Sequence, residues 1–327
     1  MTPATMRAAV LTGPGGPEVL TLDRVPTPVP AAGQVLVRVA AFGLNNAEVL
    51  QRRGVTAAPD GGIPGLECAG VVAAVGPGVT GYGPGDRVAA LARCGTYAEY
   101  VAVPAGACMR VPDVLDLAVA AAAPEAAATA WWNLVCRGRI RSGERVLIHG
   151  AAGGVGSLTV QLARRLGAYV VGTARGERKT AMCAELGCHE VIDYGHGDVF
   201  AIVGEGFDVI LDNQGGPAVA ANVSALAPFG RLVIVGVQAG AIGALDVAEL
   251  MGRAAEVSSS SLGRLDDAVR ETICRDVERQ VLPRLSEGTL RVVVDSRFAL
   301  DDIVAAHTRF SAPDRVGKVV VTVADDI

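Results

Sequence analysis

The chain has 327 residues, of which half are hydrophobic and 19% are charged, a balance typical of a globular protein with about two domains. The net charge is −5 and the basic residues are scattered, so we expect no nucleic-acid partner. No apolar run reaches the roughly 18–20 residues of a membrane span, and no apolar segment follows the N-terminus as in a signal peptide. Seven cysteines without a Cys-x-x-Cys pair indicate reduced thiols. We therefore expect a cytoplasmic protein without a membrane partner.

The first part of the chain, from about residue 6 to residue 112, is predicted to be all-β. Short runs of strand-forming residues alternate with turns rich in Gly and Pro. They predict strands at residues 8–11, 19–25, 34–41, 67–75, 87–92 and 98–103. Such a series is typical of a small barrel or sandwich.

Beyond residue 117 the pattern changes to alternating strands and helices. Helices are predicted at 117–128, 131–137, 158–166, 178–186 and 218–226, and strands at 145–149, 169–173, 191–193, 207–212, 231–235 and 256–259. This alternation predicts a parallel, doubly wound sheet. A long amphipathic helix at 265–286, which Pro283 could kink or end, precedes strands at 290–295 and 318–323 around a helix at 300–310. We expect this tail to pack on the N-terminal β domain.

The most informative motif lies between the strand at 145–149 and the helix that follows it. Gly150, Gly153 and Gly156 recur every three residues in this stretch. Glycines allow a tight turn and a close approach of the backbone to a pyrophosphate, and the helix N-terminus supplies free N–H groups and partial positive charge. Because the triplet is embedded between a strand and a helix, it predicts a dinucleotide-binding turn.

The end of the second strand of this sheet bears on the choice of cofactor. NAD-binding folds carry a carboxylate there for the ribose 2′-OH, whereas NADP-binding folds carry small and basic residues. Thr173 and Arg175 stand at this place, with Arg178 and Lys179 close behind and Glu177 as the nearest acid. A guanidinium suits bidentate pairing with phosphate. The segment therefore predicts NADPH.

The histidines and cysteines do not suggest a metal centre. The four histidines are 149, 189, 196 and 307, and no set of Cys, His and acidic residues has the spacing of a zinc site. His149 follows a buried strand and is expected to be a satisfied core residue, whereas His189 and His196 flank a strand and are expected at the surface. We expect no metal ligands.

Six motifs together resemble the medium-chain dehydrogenase/reductase superfamily, specifically its zinc-independent quinone oxidoreductases and, within them, the stress-induced quinone reductase subgroup. The matching segments, which span essentially the whole chain, are residues 43–54, 64–72, 85–88, 95–104, 124–131 and 317–321. The resemblance implies an α/β protein with a GroES-like β-barrel domain over residues 1–124, completed by the tail from about 288 to 327, and a Rossmann domain over residues 125–287. It also implies a cleft between the domains, NADPH as cofactor and a homodimer paired through the last strands of the Rossmann sheet.

The resemblance also implies roles for individual residues. Asn45 matches an asparagine that faces the nicotinamide and the substrate, and Thr129 matches a threonine near the nicotinamide ring. Further cofactor contacts are implied for Gly153, Gly154, Val155 and Gly156 at the pyrophosphate, Thr173, Arg175 and Lys179 at the 2′-phosphate, Tyr194 beside the adenosine phosphate, Gly236, Val237 and Gln238 at the carboxamide, and Lys318 near the cofactor. Zinc-dependent relatives carry a cysteine in the region of Asn45 and a histidine in place of Leu66, so the resemblance also implies a reaction without metal.

One departure from the family pattern concerns the substrate. Relatives commonly carry a tyrosine shortly after the segment at 43–54 that projects into the active site, whereas this chain has Thr56 there, in a loop of small residues. Thr56 thus joins Asn45 and Thr129 as a candidate catalytic position, and we expect a more open substrate pocket. The alternative is that another side chain, such as Trp131, fills the space.

Together these observations predict an NADPH-dependent oxidoreductase that passes hydride, without zinc, to a quinone or to an α,β-unsaturated carbonyl compound. Two alternatives stay open at this point. One is an enoyl reductase dedicated to a biosynthetic pathway, and the other is a non-catalytic NADPH-binding sensor or structural protein.

Overall fold

The computed structural model describes residues 2–195, 197 and 204–324, so the predicted surface position of His196 lies outside the described residues. The chain forms two compact units. The first unit comprises the residues up to Ala128 together with those from Leu265 onward, and the second comprises Thr129–Arg264. No helix in the described ranges is long and apolar enough to cross a bilayer.

The strands follow one another in both units. In chain order they are β1 (Thr5–Leu11), β2 (Leu20–Pro26), β3 (Gln34–Gly43), β4 (Glu67–Val75), β5 (Arg87–Leu91), β6 (Tyr100–Pro104), β7 (Cys108–Arg110), β8 (Arg145–Ile148), β9 (Tyr169–Ala174), β10 (Glu190–Asp193), β11 (Phe207–Asp212), β12 (Leu226–Ile234), β13 (Glu256–Ser259), β14 (Val294–Ala299) and β15 (Lys318–Thr322).

The helices connect these strands. They are α1 (Asn46–Arg52), α2 (Leu117–Ala120), α3 (Pro124–Trp131), α4 (Gly154–Arg165), α5 (Glu177–Glu185), α6 (Val219–Ala225), α7 (Val247–Gly252), α8 (Asp267–Gln280), α9 (Leu282–Ser286) and α10 (Ile303–Phe310). A π-helical turn covers Trp132–Arg137, and short 3₁₀ turns cover Pro17–Val19, Asp60–Gly62, Ala105–Ala107, Gly216–Ala218, Leu262–Arg264 and Leu300–Asp302.

The second unit is built on a six-stranded sheet in the order β10-β9-β8-β11-β12-β13, and its strand pairs are parallel. Leu147, Val171 and Ile210 are fully buried within it, as expected of strands covered on both faces. The strand order reverses between β8 and β11, and ligands of such sheets bind outside the carboxyl ends of the strands at this point. The predicted Rossmann-type sheet is confirmed.

The first unit is built around β3. This strand pairs antiparallel with β4 on one side, and on the other with β6 at its start and β15 at its end. The resulting sheet runs β14-β15-β3-β4-β5-β7, with β6 beside β3, while β1 and β2 form a separate antiparallel pair. Phe42 stacks on Tyr97 in the core, with ring centroids 4.3 Å apart, and Val319 and Val321 of the C-terminal strand join the same core.

The C-terminal helices differ from the sequence expectation in extent and in unit. The predicted single helix at 265–286 is two helices, α8 and α9, with Pro283 at the start of the second. Both belong to the first unit, whereas the sequence analysis placed residues up to 287 in the Rossmann domain. Arg270 contributes to this attachment, because its buried guanidinium donates to the carbonyls of Leu91 and Ala92 at 3.0 and 3.2 Å.

The predicted helix at 117–128 is also divided. It ends at Ala120, and α3 begins at Pro124, a residue suited to the first turn of a helix because it has no N–H to leave unpaired. The backbone N–H of Glu125 donates to Glu67 Oε2 at 2.9 Å, so a buried carboxylate from β4 caps the new helix. In the tail, the strand predicted at 290–295 begins at Val294 instead, where its pairing with Lys318 of β15 starts.

Candidate functional site

The glycine turn of the second unit has the geometry of an anion-binding loop. Gly150 adopts φ +64° directly after β8, and a Cβ added to Gly156 would lie 2.3 Å from the Gly150 carbonyl oxygen. Helix α4 begins at Gly154, and its N-cap, Gly153, offers no capping side chain. Because the first N–H groups of a helix have no partner within it, those of Gly154, Val155 and Gly156 can donate to a phosphate.

A polar side-chain network supports the turn from below. Thr173 is buried, and its Oγ1 accepts the Gly150 N–H at 3.2 Å and lies 3.3 Å from His149 Nδ1. His149 Nε2 in turn lies 2.8 Å from Asn222 Oδ1, and burial lowers the pKa of the imidazole. His149 is therefore the satisfied core histidine that the sequence predicts. Thr173 lies under the turn, while Arg175, predicted for the same phosphate, lies exposed beyond the strand end.

Two loops at the carboxyl edge of the sheet are held together by one carboxylate. Asp193 Oδ1 accepts the N–H of Gly176 at 2.9 Å and that of Gly195 at 2.7 Å. The loop after β9 carries Arg175, and the loop after β10 carries Tyr194. Burial raises the pKa of the half-buried Tyr194 hydroxyl, while the charge of Arg175 opposes the shift. The structure therefore brings these two predicted residues together.

The remaining predicted cofactor residues of this unit lie on neighbouring loops and helix starts. Lys179 is in the first turn of α5, and the segment of Gly236, Val237 and Gln238 follows β12. The Gln238 N–H donates to Asn213 O at 3.0 Å, which fixes this segment against the loop after β11. Val237 is half exposed.

Thr129 is partly buried in the last turns of α3, just before the π-helical turn. The widened turn is stabilised by Asn133, whose Nδ2 donates to the Thr129 carbonyl at 2.7 Å. Single π-helical turns inside α-helices occur frequently at functional sites. The local geometry therefore fixes the backbone at this predicted site residue.

A buried polar cluster lies in the first unit around Asn45. Glu48, three residues later in α1, accepts the Asn45 N–H at 2.9 Å and the Leu66 N–H at 3.1 Å. Glu67 accepts Asn45 Nδ2 at 3.0 Å. Lys318 Nζ donates to Asn45 Oδ1, to Glu67 Oε1 and, at 2.8 Å, to the Leu44 carbonyl.

The charges of this cluster bear on the pKa of Glu48. Glu48 and Glu67 are fully buried and Lys318 is 3% exposed, so two carboxyl groups share one ammonium group out of contact with water. Lys318 donates to Glu67, whereas Glu48 has backbone donors and the Asn45 amide. Burial raises the pKa of Glu48 to about 8, against the lowering effects of its backbone hydrogen bond and of Lys318. Glu48 therefore holds a proton at neutral pH.

The residues at the zinc-ligand positions of related enzymes do not fit a zinc ion. Leu66 has no donor atom, and the amide oxygen of Asn45 is held by Lys318. Zinc requires four convergent N, S or O ligands, of which the protein normally supplies at least three. Among the residues that the structure describes, no group of three His, Cys, Asp or Glu side chains could hold a metal ion.

Thr56 lies exposed in the loop that follows α1. Its backbone N–H makes a long contact of 3.4 Å to Leu50 O, and neighbouring Val55 is 68% exposed. The position thus carries a small side chain on an open surface. What it contacts in a substrate complex stays a prediction.

Sequence reasoning missed Glu48, Glu67 and Asp193 as parts of the site. Glu48 had a local signal, since an Asn followed three residues later by Glu is the pattern of a helix N-terminus. Asp193 stands at the end of a predicted strand, where polar loops of a parallel sheet converge. Glu67 had only the weaker signal of an acid at the start of an apolar strand, where burial would require a partner.

These two units define a class of protein, in which a GroES-like domain accompanies a dinucleotide-binding parallel sheet. The family model described as an alcohol dehydrogenase GroES-like domain matches residues 31–113, and the one described as a zinc-binding dehydrogenase matches residues 154–279. A quinone oxidoreductase of Pseudomonas aeruginosa is 32% identical over 317 residues, which cover 94% of this chain and 96% of that relative. The chain belongs to the medium-chain dehydrogenase/reductase superfamily, an oxidoreductase family whose fold binds a nicotinamide cofactor.

Two further similarities bear on function. A component of the phenolphthiocerol/phthiocerol polyketide synthase of Mycobacterium tuberculosis is 34% identical over 334 residues, which cover 97% of this chain but only 15% of the length of that relative. A mycobacterial structure solved in complex with NADPH has a TM-score of 0.86 and 30% identity, with 97% of this chain and 100% of that chain covered.

The proton on Glu48 should make stability depend on pH. The pKa of this carboxyl group is about 8 in the folded protein against an ordinary value of 4.5, so between these values the folded state binds one proton more than the unfolded chain. The free energy of unfolding should therefore fall as pH rises from about 5 to about 8, by at most about 1.4 kcal/mol per pH unit. Glu48→Gln, which is neutral throughout, should have a flatter profile at a lower overall stability.

Urea unfolding at several pH values between 5 and 8 measures this slope. Exposed Glu287→Gln is the matched control and should keep the wild-type slope. Equal slopes for wild type and Glu48→Gln would contradict a buried, protonated Glu48.

Proposed function

We propose that the protein is an NADPH-dependent oxidoreductase that passes hydride to an electron-poor acceptor, either a quinone or an α,β-unsaturated carbonyl compound. The observation that carries this proposal is the glycine turn beside a second strand that is followed directly by Arg175 rather than by an acid. The turn suits a pyrophosphate, and the guanidinium suits a 2′-phosphate. The similarity to a quinone oxidoreductase and to a structure solved with NADPH supports both parts.

The cofactor roles are proposed residue by residue. Gly153, Gly154, Val155 and Gly156 would bind the pyrophosphate through backbone N–H groups, with Thr173 holding the turn from below. Arg175 and Lys179 would pair with the 2′-phosphate, and Tyr194 would lie beside the adenosine phosphate. Gly236, Val237 and Gln238 would meet the carboxamide with backbone atoms. Thr129 and Asn45 would lie near the nicotinamide ring, and Lys318 would act close to it.

The nicotinamide, when bound, would supply the hydride. The protein's contribution is orientation, since holding two reactants in a reactive geometry replaces a bimolecular encounter. Asn45 would present a fixed amide to the ring or to the acceptor oxygen, because its side chain is held between Lys318 and Glu67. Thr56 would border the acceptor. We propose catalysis without zinc, because the Leu66 side chain has no ligand atom and the Asn45 amide oxygen is held by Lys318.

We further propose a homodimer that works in the cytoplasm with a small-molecule acceptor as its partner. The support for a dimer lies beside β13, the edge strand of the parallel sheet. The preceding segment exposes Ile242, Leu245, Val247 and Met251, with exposed fractions of 91%, 40%, 57% and 75%. Exposed apolar side chains in a segment that leads into an edge strand favour contact with another chain.

A second candidate function is reduction of an enoyl group in a biosynthetic pathway. The observation that favours it is the 34% identity to a polyketide synthase across 97% of this chain. The chemistry would again be hydride transfer to an electron-poor acceptor. Only the acceptor would differ, because it would be an α,β-unsaturated acyl thioester in place of a free quinone or enone.

A panel of acceptors separates these functions. We expect purified protein, dialysed against a strong chelator, to oxidise NADPH at 340 nm in the presence of quinones or enones. Faster turnover of an enoyl thioester than of any quinone or enone would favour the biosynthetic reductase. NADPH binding without turnover of any acceptor would favour a sensor, and a requirement for added zinc would contradict catalysis without metal.

The choice of cofactor is tested by Arg175→Ala. Loss of a charge-assisted pair costs roughly 1.5–3 kcal/mol, so the dissociation constant for NADPH should rise about 10- to 150-fold. The constant for NADH should change little, because NADH lacks the 2′-phosphate. Exposed Arg165→Ala in α4 is the control and should leave both constants unchanged. Equal affinity of the wild type for NADPH and NADH would contradict the proposal.

The open acceptor pocket is tested by Thr56→Tyr. A tyrosine adds an aromatic ring that covers on the order of 150–250 Å². We therefore expect kcat/KM to fall for a tricyclic quinone while the value for a small benzoquinone is kept. If both acceptors respond alike, Thr56 does not set the size of the pocket.

A further inference from the structure

Lys318 is fully engaged by the protein that surrounds it. Its ammonium group has three N–H donors, and they meet three acceptors: Leu44 O, Asn45 Oδ1 and Glu67 Oε1. The side chain is 4% exposed. A group in this condition has no donor left for a cofactor phosphate or carboxamide, although the family resemblance places this lysine near the cofactor.

Glu67 completes the arrangement on the other side of the amide. Its Oε1 accepts both Lys318 Nζ and Asn45 Nδ2, and its Oε2 accepts the N–H of Glu125 at the start of α3. The carboxylate approaches the backbone so closely that a Cβ on Gly43 would lie 2.3 Å from Oε1. The carboxylate is therefore fixed in space by a lysine, a helix N-terminus and a glycine.

These partners leave the Asn45 side chain one orientation. An ammonium group can only donate and an ionised carboxylate can only accept, so the atom facing Lys318 must be Oδ1 and the atom facing Glu67 must be Nδ2. Rotating the amide by 180° would place Nδ2 opposite the Lys318 ammonium group, a donor facing a donor, and Oδ1 opposite the Glu67 carboxylate, an acceptor facing an acceptor. Glu67 and Lys318 are buried, whereas Asn45 is partly exposed. Asn45 is thus the member of this trio that offers surface to a ligand.

We propose that Lys318 and Glu67 are positioning residues, which act on the reaction by fixing the direction of the Asn45 amide rather than by touching the cofactor. This inference rests on the proposed function in one respect, namely that Asn45 contacts the nicotinamide or the acceptor. Oδ1 also faces the backbone N–H of Glu48 in the capping box of α1, and the second N–H of the amide makes longer contacts of 3.4–3.5 Å, to Glu48 Oε1 and Gly43 O. The amide is thus held in one direction by protein partners, and the exposed part of the Asn45 side chain would meet a ligand in that direction.

A double-mutant cycle on Asn45→Ala and Lys318→Met tests the proposal. With 1,4-naphthoquinone as acceptor, Lys318→Met should lower kcat by roughly 10- to 100-fold, because a group misplaced by about 1 Å can cost about 100-fold. The dissociation constant for NADPH, measured by its fluorescence, should stay within about threefold of wild type. The double variant should be no slower than Asn45→Ala alone, since Lys318 acts through Asn45.

Two results would overturn the inference. Additive losses in the double variant would mean that Lys318 acts independently of Asn45. A large rise in the NADPH constant with kcat retained would mean that Lys318 is a cofactor ligand after all.

Further variants separate positioning from stability. Lys318→Met leaves buried carboxylates without a cation and could unfold the protein for that reason alone. The double variant Lys318→Met with Glu67→Gln, called here the neutral pair, removes one charge of each sign and should fold. The pair should still lose kcat, because a methionine cannot hold Oδ1, and Lys318→Arg should restore part of the rate. Arg309→Met, which breaks a partly buried ion pair with Asp295 in the same unit, is the matched control and should lower stability without lowering kcat. A wild-type rate in the neutral pair, or an equal loss of kcat in Arg309→Met, would overturn the inference.

A readout without turnover keeps this inference distinct from the proposed function. The side-chain amide of Asn45 can be assigned by NMR from the signal lost in Asn45→Ala. In the wild type its two Nδ2 protons should be well separated and slow to exchange, and in the neutral pair they should move toward the values of an exposed amide. If these signals change but the protein turns over no acceptor, Lys318 and Glu67 position Asn45 and the proposed function is wrong. If the signals are unchanged, Lys318 and Glu67 do not position Asn45 and the inference is overturned.

Discussion

The first unit depends on one buried carboxylate. Glu67 is the fully buried first residue of β4, where an unpaired charge would be very costly. It is compensated by groups from three distant segments: Lys318 of the last strand, Asn45 at the start of α1 and the N–H of Glu125 at the start of α3. A buried pair of this kind contributes little net stability, but removing one partner is costly. It therefore specifies which strand lies beside β3 and where two helices begin, which is a constraint on geometry more than a source of stability.

The second unit depends on the backbone geometry of one turn rather than on a buried charge. The turn after β8 must bring Gly150 and Gly156 into direct contact, which leaves no room for a side chain, and it must keep the N–H groups at the start of α4 free of protein partners. Thr173 and His149 therefore support the turn from its buried side. Thr173 Oγ1 accepts the Gly150 N–H and lies within hydrogen-bond distance of His149 Nδ1. Each unit thus holds its polar atoms in fixed positions. The first unit presents the side-chain amide of Asn45, and the second presents the backbone N–H groups at the start of α4.

The sequence predicted what depends on local pattern. The strands β4, β11 and β13 were predicted to the residue, because apolar runs bounded by glycine, proline and polar residues carry that information locally. The glycine turn was predicted for the same reason. The cluster around Asn45 was not, because Glu67 and Lys318 are 251 residues apart and meet only through the register of β15 against β3. Likewise, the helix at 265–286 has one amphipathic pattern, and the unit that it covers is shown only by long-range contacts such as those of Arg270 with Leu91 and of Glu278 with Arg110.

The count of charges explains why Glu48 is the group that holds a proton. The cluster contains two carboxyl groups and one ammonium group, so one negative charge would be left over if all were ionised. Lys318 has three donors, and its contacts with Leu44, Asn45 and Glu67 use them all, so none remains for Glu48. The backbone N–H groups that Glu48 accepts do not offset the cost of burying its charge, and its pKa rises to about 8. With Glu48 protonated, Glu67 and Lys318 are left as the paired charges beside Asn45.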